Sequence, residues 1–126
     1  MTRSDRLIAA AGALALGIGT AAAAASAHFQ DALDATRLGS ASQMLLVHGL
    51  GLFGLALARH AWPSKRRTLG WIAALLAAGL LLFAGSLLFA VAFDASTALA
   101  PFGGGLTILC WVAAAIVFLL PVRSAK

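Results

Sequence analysis

The side chains able to do chemistry are few in this chain of 126 residues: three histidines, four aspartates, one cysteine, nine Lys/Arg and a scatter of hydroxyls. His48 stands in a long apolar run, where an imidazole could ligate a metal or haem or relay a proton. Its plainer role is a neutral ring bonded to a hydroxyl or carbonyl on a neighbouring helix. That role is preferred because no second His or carboxylate interrupts the run. His28 precedes Asp31 and Asp34, and imidazole with carboxylates suits a divalent cation. This spacing matches no metal signature, however, and two aspartates ahead of an apolar run read better as the caps of a short surface helix. Ser86 follows Gly85 in mid-run, where another backbone could approach and His48 would be its natural partner. Ser42, Gln43 and Thr107 suit interhelical hydrogen bonds. Cys110, standing alone, excludes an internal disulfide and a thiolate zinc cluster built by this chain. No HExxH, P-loop or dinucleotide fingerprint occurs. The expectation is no catalytic constellation, no metal site and no cofactor, and therefore not an enzyme.

The elements that must position these residues follow from composition. Hydrophobic residues make up 62% of the chain and charged residues 10%, against about 45–50% and about 25% in soluble domains. A soluble single-domain enzyme and a disordered chain are both excluded, and an integral membrane protein remains. A helix needs about 20 apolar residues to cross the hydrocarbon. Four stretches meet that length, at about 7–27, 40–58, 69–93 and 101–120. Arg3, Arg6, Arg59, Lys65, Arg66, Arg67, Arg123 and Lys126 fall on one side of these spans, opposed only by Asp5. Asp31, Asp34 and Asp94 fall on the other side with Arg37. The positive-inside rule puts the basic side, and both termini, in the cytoplasm. Trp62 and Trp71 flank the basic loop as interfacial anchors. His48 then lies about 12 Å inside the outer end of span two. The positive charge serves membrane orientation, and no nucleic-acid partner is implied.

The expected fold is an all-α integral membrane domain over 1–126, an antiparallel up-down bundle of four transmembrane helices joined by short connections. A rival exists for the first span, since Arg3, Arg6, an apolar stretch and Ala25-Ser26-Ala27 also read as a secretory signal. The stretch exceeds the 7–15 residues typical of a signal core, so the span is expected to be retained. Glycines recur inside the spans, among them Gly12, Gly17, Gly19 and Gly79. In lipid, small residues let helix backbones approach closely. Gly49, Gly51, Gly54, Gly85, Gly103 and Gly104 are the positions read as helix-packing sites. The Pro101–Gly105 segment, at the start of the last span, could be a broken helix start lining a cavity, but reads better as a flexible entry turn.

Several of these segments together resemble the domain-of-unknown-function 423 family of small bacterial membrane proteins, related to the transmembrane protein 256 family. The resemblance is carried by Ala27-His28, by His48 and the apolar run to Phe53, and by Leu82-Phe83-Ala84-Gly85-Ser86-Leu87, similar to the family's LFSGSL. Ala100-Pro101-Phe102-Gly103-Gly104 is similar to its TPxGG, and Trp111 stands in the place of its GW. Met44 and Leu45 replace the family's Tyr-Gln ahead of His48, and Leu88 replaces its tyrosine after GSL. The resemblance implies four membrane helices with the first retained, in a bacterial inner membrane, and it implies no activity.

Function is therefore expected to be that of a structural or accessory subunit, embedded in the lipid bilayer and packing into a homo-oligomer or a larger membrane complex. The alternative is a channel or small-solute or ion carrier that uses His48, Ser86 and the Pro101–Gly105 turn.

Overall fold

The computed structural model describes residues 1–121, so Arg123 and Lys126 of the basic side lie outside the described residues. Helix α1 spans Arg3–Ser26 and α2 spans Ala32–Ala61. A single 3₁₀ turn, Pro63–Lys65, leads into a third rod. That rod consists of α3 (Arg66–Leu80), a π-helical segment (Leu81–Gly85) and α4 (Ser86–Phe93). The last helix, α5, spans Ala100–Leu119. All four rods are long and apolar enough to cross a membrane.

Local chemistry explains the boundaries. Thr2 and Asp5 form a reciprocal capping box at the start of α1, satisfying two donors that the first turn leaves open. Asp31 caps α2 by accepting from the Asp34 amide at 2.9 Å. Trp62 precedes Pro63 and leaves helical geometry there, as a residue before proline must. Asp94 closes α4 in the left-handed region at φ 51°, a conformation aspartate tolerates better than most residues.

Two sequence expectations change. Asp31 and Asp34 do not cap a short surface helix; they open α2 itself, which begins eight residues ahead of the apolar run that starts at Ser40. Hydropathy marks only the stretch suited to lipid, whereas the helix continues through polar turns held by the Asp34–Arg37 pair at 3.1 Å. The connection between the first two helices is correspondingly shorter than expected. The Pro101–Gly105 segment is not a turn, because Pro101 occupies the first turn of α5. Proline suits that position, where its missing N–H would have no intrahelical partner.

The helices run antiparallel in sequence order. Gly12 faces Gly49, and Gly19 faces Leu45 and Leu46, so α1 and α2 pair in opposite directions. Gly79 faces Gly103, and Lys65 reaches Val117, so the third rod and α5 do the same. Helix α1 packs mainly on α2, and α5 mainly on α3 and the π segment, with α2 and α3 joined between them. Each hairpin crosses backbone against backbone. A Cβ on Gly12 would lie 2.6 Å from the Gly49 carbonyl oxygen. A Cβ on Gly103 would lie 2.4 Å from the Phe83 amide nitrogen and 2.5 Å from the Gly79 oxygen. Gly103 thus meets the backbone of the π segment itself, where the LFAGSL motif lies. Ser42 adds a buried hydrogen bond across the first hairpin, its hydroxyl donating to the Gly19 carbonyl at 2.8 Å.

Of the glycines assigned to packing, Gly49 and Gly103 sit in such crossings, Gly51 lies under the Trp111 ring, and Gly104 makes ordinary contact with the Phe83 ring. Gly54 and Gly85 meet nothing within 4 Å and do not pack against another helix of this chain. Spacing along an apolar helix does not reveal which face meets a neighbour, and here the partners of Gly49 and Gly103 are Gly12 and Gly79. Gly12→Ala and Gly103→Ala are expected to destabilise the protein by about 1–3 kcal/mol through overpacking. Gly54→Ala should be neutral or stabilising, by up to about 1 kcal/mol from helix propensity. Thermal unfolding in a mild detergent separates the two classes.

Candidate functional site

His48 is 8% exposed, on the inner face of α2. Its Nδ1 lies 2.9 Å from the Met44 carbonyl oxygen, one turn earlier in the same helix. A carbonyl only accepts, so Nδ1 carries a proton and donates this bond. The expected partner on a neighbouring helix is therefore replaced by the residue's own backbone, always within reach at that spacing. The imidazole packs against Trp111 of α5, with ring centres 6.2 Å apart and planes tilted by 52°. Gly51 makes room for the same indole, since a Cβ there would lie 2.4 Å from the ring. His48, Gly51 and Trp111 thus form a contact between α2 and α5.

Ser86 does not bond His48. Its hydroxyl donates to the Phe83 carbonyl in the π segment at 2.9 Å. It also lines, with Gly85 and Ser96, an open pocket of about 340 Å³. Thr107 likewise turns back to the Gly104 carbonyl at 2.7 Å. Gln43 is exposed, and Cys110 is buried as a free thiol. His28 is exposed between α1 and α2, far along the chain from the His48 contact. Among the described residues no group of three or more His, Cys, Asp or Glu could hold a metal ion.

The structure assembles a polar site that the residue-by-residue reading passed over. At the basic end Asp5 is wholly buried, 0% exposed. Its Oδ2 accepts from the Thr2 amide at 2.8 Å and from Arg66 Nη2 at 3.2 Å. Its Oδ1 lies 3.0 Å from Arg59 Nε. That approach is a charge contact without hydrogen-bond alignment, for neither atom has a hydrogen-bond partner. The arginines come from the last turn of α2 and the first residue of α3, so one carboxylate ties three helices together. Gly70 leaves the space for Arg59, because a Cβ there would lie 2.5 Å from Nη1. The available signal was Asp5 standing as the only acid on a side crowded with cations. Beside this cluster, the Lys65 ammonium donates to the Val117 carbonyl at 2.9 Å and also to that of Leu120. A cation so placed complements the negative end of the α5 dipole.

A bundle of four membrane-length helices with this interior belongs to the class of small multi-pass membrane proteins. A family model described as protein of unknown function (DUF423) matches residues 21–104, two thirds of the chain, and the chain belongs to that family. The match includes His28, His48, Arg59, Arg66, the π segment and the Gly79–Gly103 crossing, and it leaves out Asp5 and Trp111. No curated protein and no solved structure matches the chain.

Asp5→Asn leaves two guanidinium groups facing a neutral amide, and the melting temperature in detergent is expected to fall. Adding Arg66→Gln should recover part of that loss, since contacting charges do not act additively. A double variant whose loss equals the sum of the single losses would show that the pair is not coupled.

Proposed function

We propose that this protein is a structural or accessory subunit of a membrane assembly, held in a bacterial inner membrane with its basic end in the cytoplasm. The positive-inside rule supports that orientation, because the described cations other than Arg37 all lie at one end of the bundle. The observation that carries the role is how the interior uses its polar groups. His48, Ser86 and Thr107 each close on a carbonyl of their own helix, and Ser42 spends its hydroxyl on joining α1 to α2. The interior therefore invests its polarity in rigidity, while large apolar side chains such as Phe102, Ile108, Leu109 and Leu119 cover the outside of α5. Such a surface suits lipid or another membrane helix. No catalytic role is proposed.

A carrier working through His48 and residues 101–105 has less support. That segment is the opening of α5, and the imidazole packs against Trp111. Gel filtration of the full chain from native membranes, in two or more mild detergents, should give an assembly well above the mass of a 12.8 kDa chain with its micelle. Mass spectrometry then identifies either more copies of the chain or a stoichiometric partner. A monomer in every detergent would overturn the subunit reading. Liposomes that pass protons or ions only when His48 is intact would replace it with the carrier.

A further inference from the structure

The cluster at the basic end leaves charge and hydrogen-bond donors unspent. Two guanidinium groups share the single carboxylate of Asp5, so the group remains positive between three helices. Arg59 is 8% exposed. The Nε of Arg66 is buried without a hydrogen-bond partner, and that of Arg59 meets the Asp5 carboxylate only as a charge contact, a costly state for charged donors unless an acceptor completes it. Arg3, Arg6 and Arg67 stand exposed at the same end. The other three aspartates of the chain lie at the opposite end, so no further carboxylate side chain stands here among the described residues.

The same three helices border a half-open apolar cavity of about 270 Å³. Leu14 and Ile18 of α1, Leu45 and Leu52 of α2, and Ala77 and Leu80 of α3 line it. Leu52 and Leu45 lie seven and fourteen residues before Arg59, and Ala77 lies eleven after Arg66. These spacings are close to whole helical turns, so each residue shares a face with its arginine. At 1.5 Å per residue the cavity lies about 10–21 Å below the charges, at the depth of lipid acyl chains.

We propose that the basic end binds the phosphodiester headgroup of an anionic membrane lipid at Arg59 and Arg66, with one acyl chain seated in the cavity between α1, α2 and α3. Basic pockets between transmembrane helices take such headgroups, and the guanidinium fork matches phosphate oxygens in geometry and charge. Asp5 acts as the positioning residue, holding the two arginines side by side, with Arg66 as the one of the pair that keeps a third of its side chain exposed. All residues of this site belong to one chain.

The test uses the full chain in mild detergent, with binding read by native mass spectrometry and by thermal unfolding. The probes are phosphatidylglycerol, phosphatidylcholine with the same acyl chains, and inorganic phosphate. Phosphatidylglycerol is expected to bind about tenfold tighter than phosphatidylcholine. Arg66→Gln should cut that preference about fivefold, whereas Arg67→Gln, removing an exposed charge beside it, should change it less than about twofold. Ala77→Phe fills the cavity without touching a charge, and it should reduce lipid retention. Equal binding of the two lipids, or equal loss in Arg66→Gln and Arg67→Gln, would overturn the proposal in favour of diffuse attraction. Stabilisation by inorganic phosphate as strong as that by phosphatidylglycerol would overturn it in favour of a simple anion site. If Arg66→Gln does not fold, Ala77→Phe and the phosphate comparison still decide.

Discussion

Helices in hydrocarbon gain little from burying apolar surface against one another, because lipid tails are as apolar as leucine. What holds this bundle is the closeness its backbones can reach. Two crossings provide it, Gly12 against Gly49 and Gly79 against Gly103, and each admits no side chain at all. Every other contact is arranged around them. Ser42 can reach the Gly19 carbonyl only because α1 lies so near α2. Phe83 can present its backbone to Gly103 because the rod is wound there as a π helix. The widening of one turn in mid-span is thus tied to a close helix crossing.

The basic end adds a different kind of constraint. Its cations are commonly understood through membrane orientation, yet three of them have definite structural partners. Arg59 and Arg66 surround Asp5, and Lys65 caps α5. Through these contacts the loop between α2 and α3 holds the start of α1 and the end of α5. A buried ion cluster is weak evidence for net stability, because desolvation offsets much of the attraction. Its consequence is specificity: helices that could slide in a uniform apolar environment are fixed in register at one end.

Much of this was legible in the sequence. The four spans, their alternation and the segregation of charge follow from hydropathy and from the cost of placing ions in lipid. Asp31 was legible as a helix cap, though the helix it opens is α2 itself, and the capping box of Thr2 with Asp5 appeared only in the structure. What the sequence concealed were relations between distant residues. Gly54 and Gly85 have the same spacing and surroundings as glycines that pack, yet face open space, and Asp5 appeared only as a lone acid in a basic stretch. Even the His48 contact needed the structure, since a carbonyl on its own helix and one on a neighbour are chemically the same partner.

The sequence by itself determined that this chain is a helical membrane protein with four spans, because the length and apolarity of each segment admit little else in a bilayer. It also determined, through its motifs, the family to which the chain belongs. Only the tertiary structure decided which glycines meet and that Asp5 is shared by Arg59 and Arg66. The reason is physical: hydropathy is a property of single segments, whereas close approach and charge pairing are properties of pairs brought together by the fold.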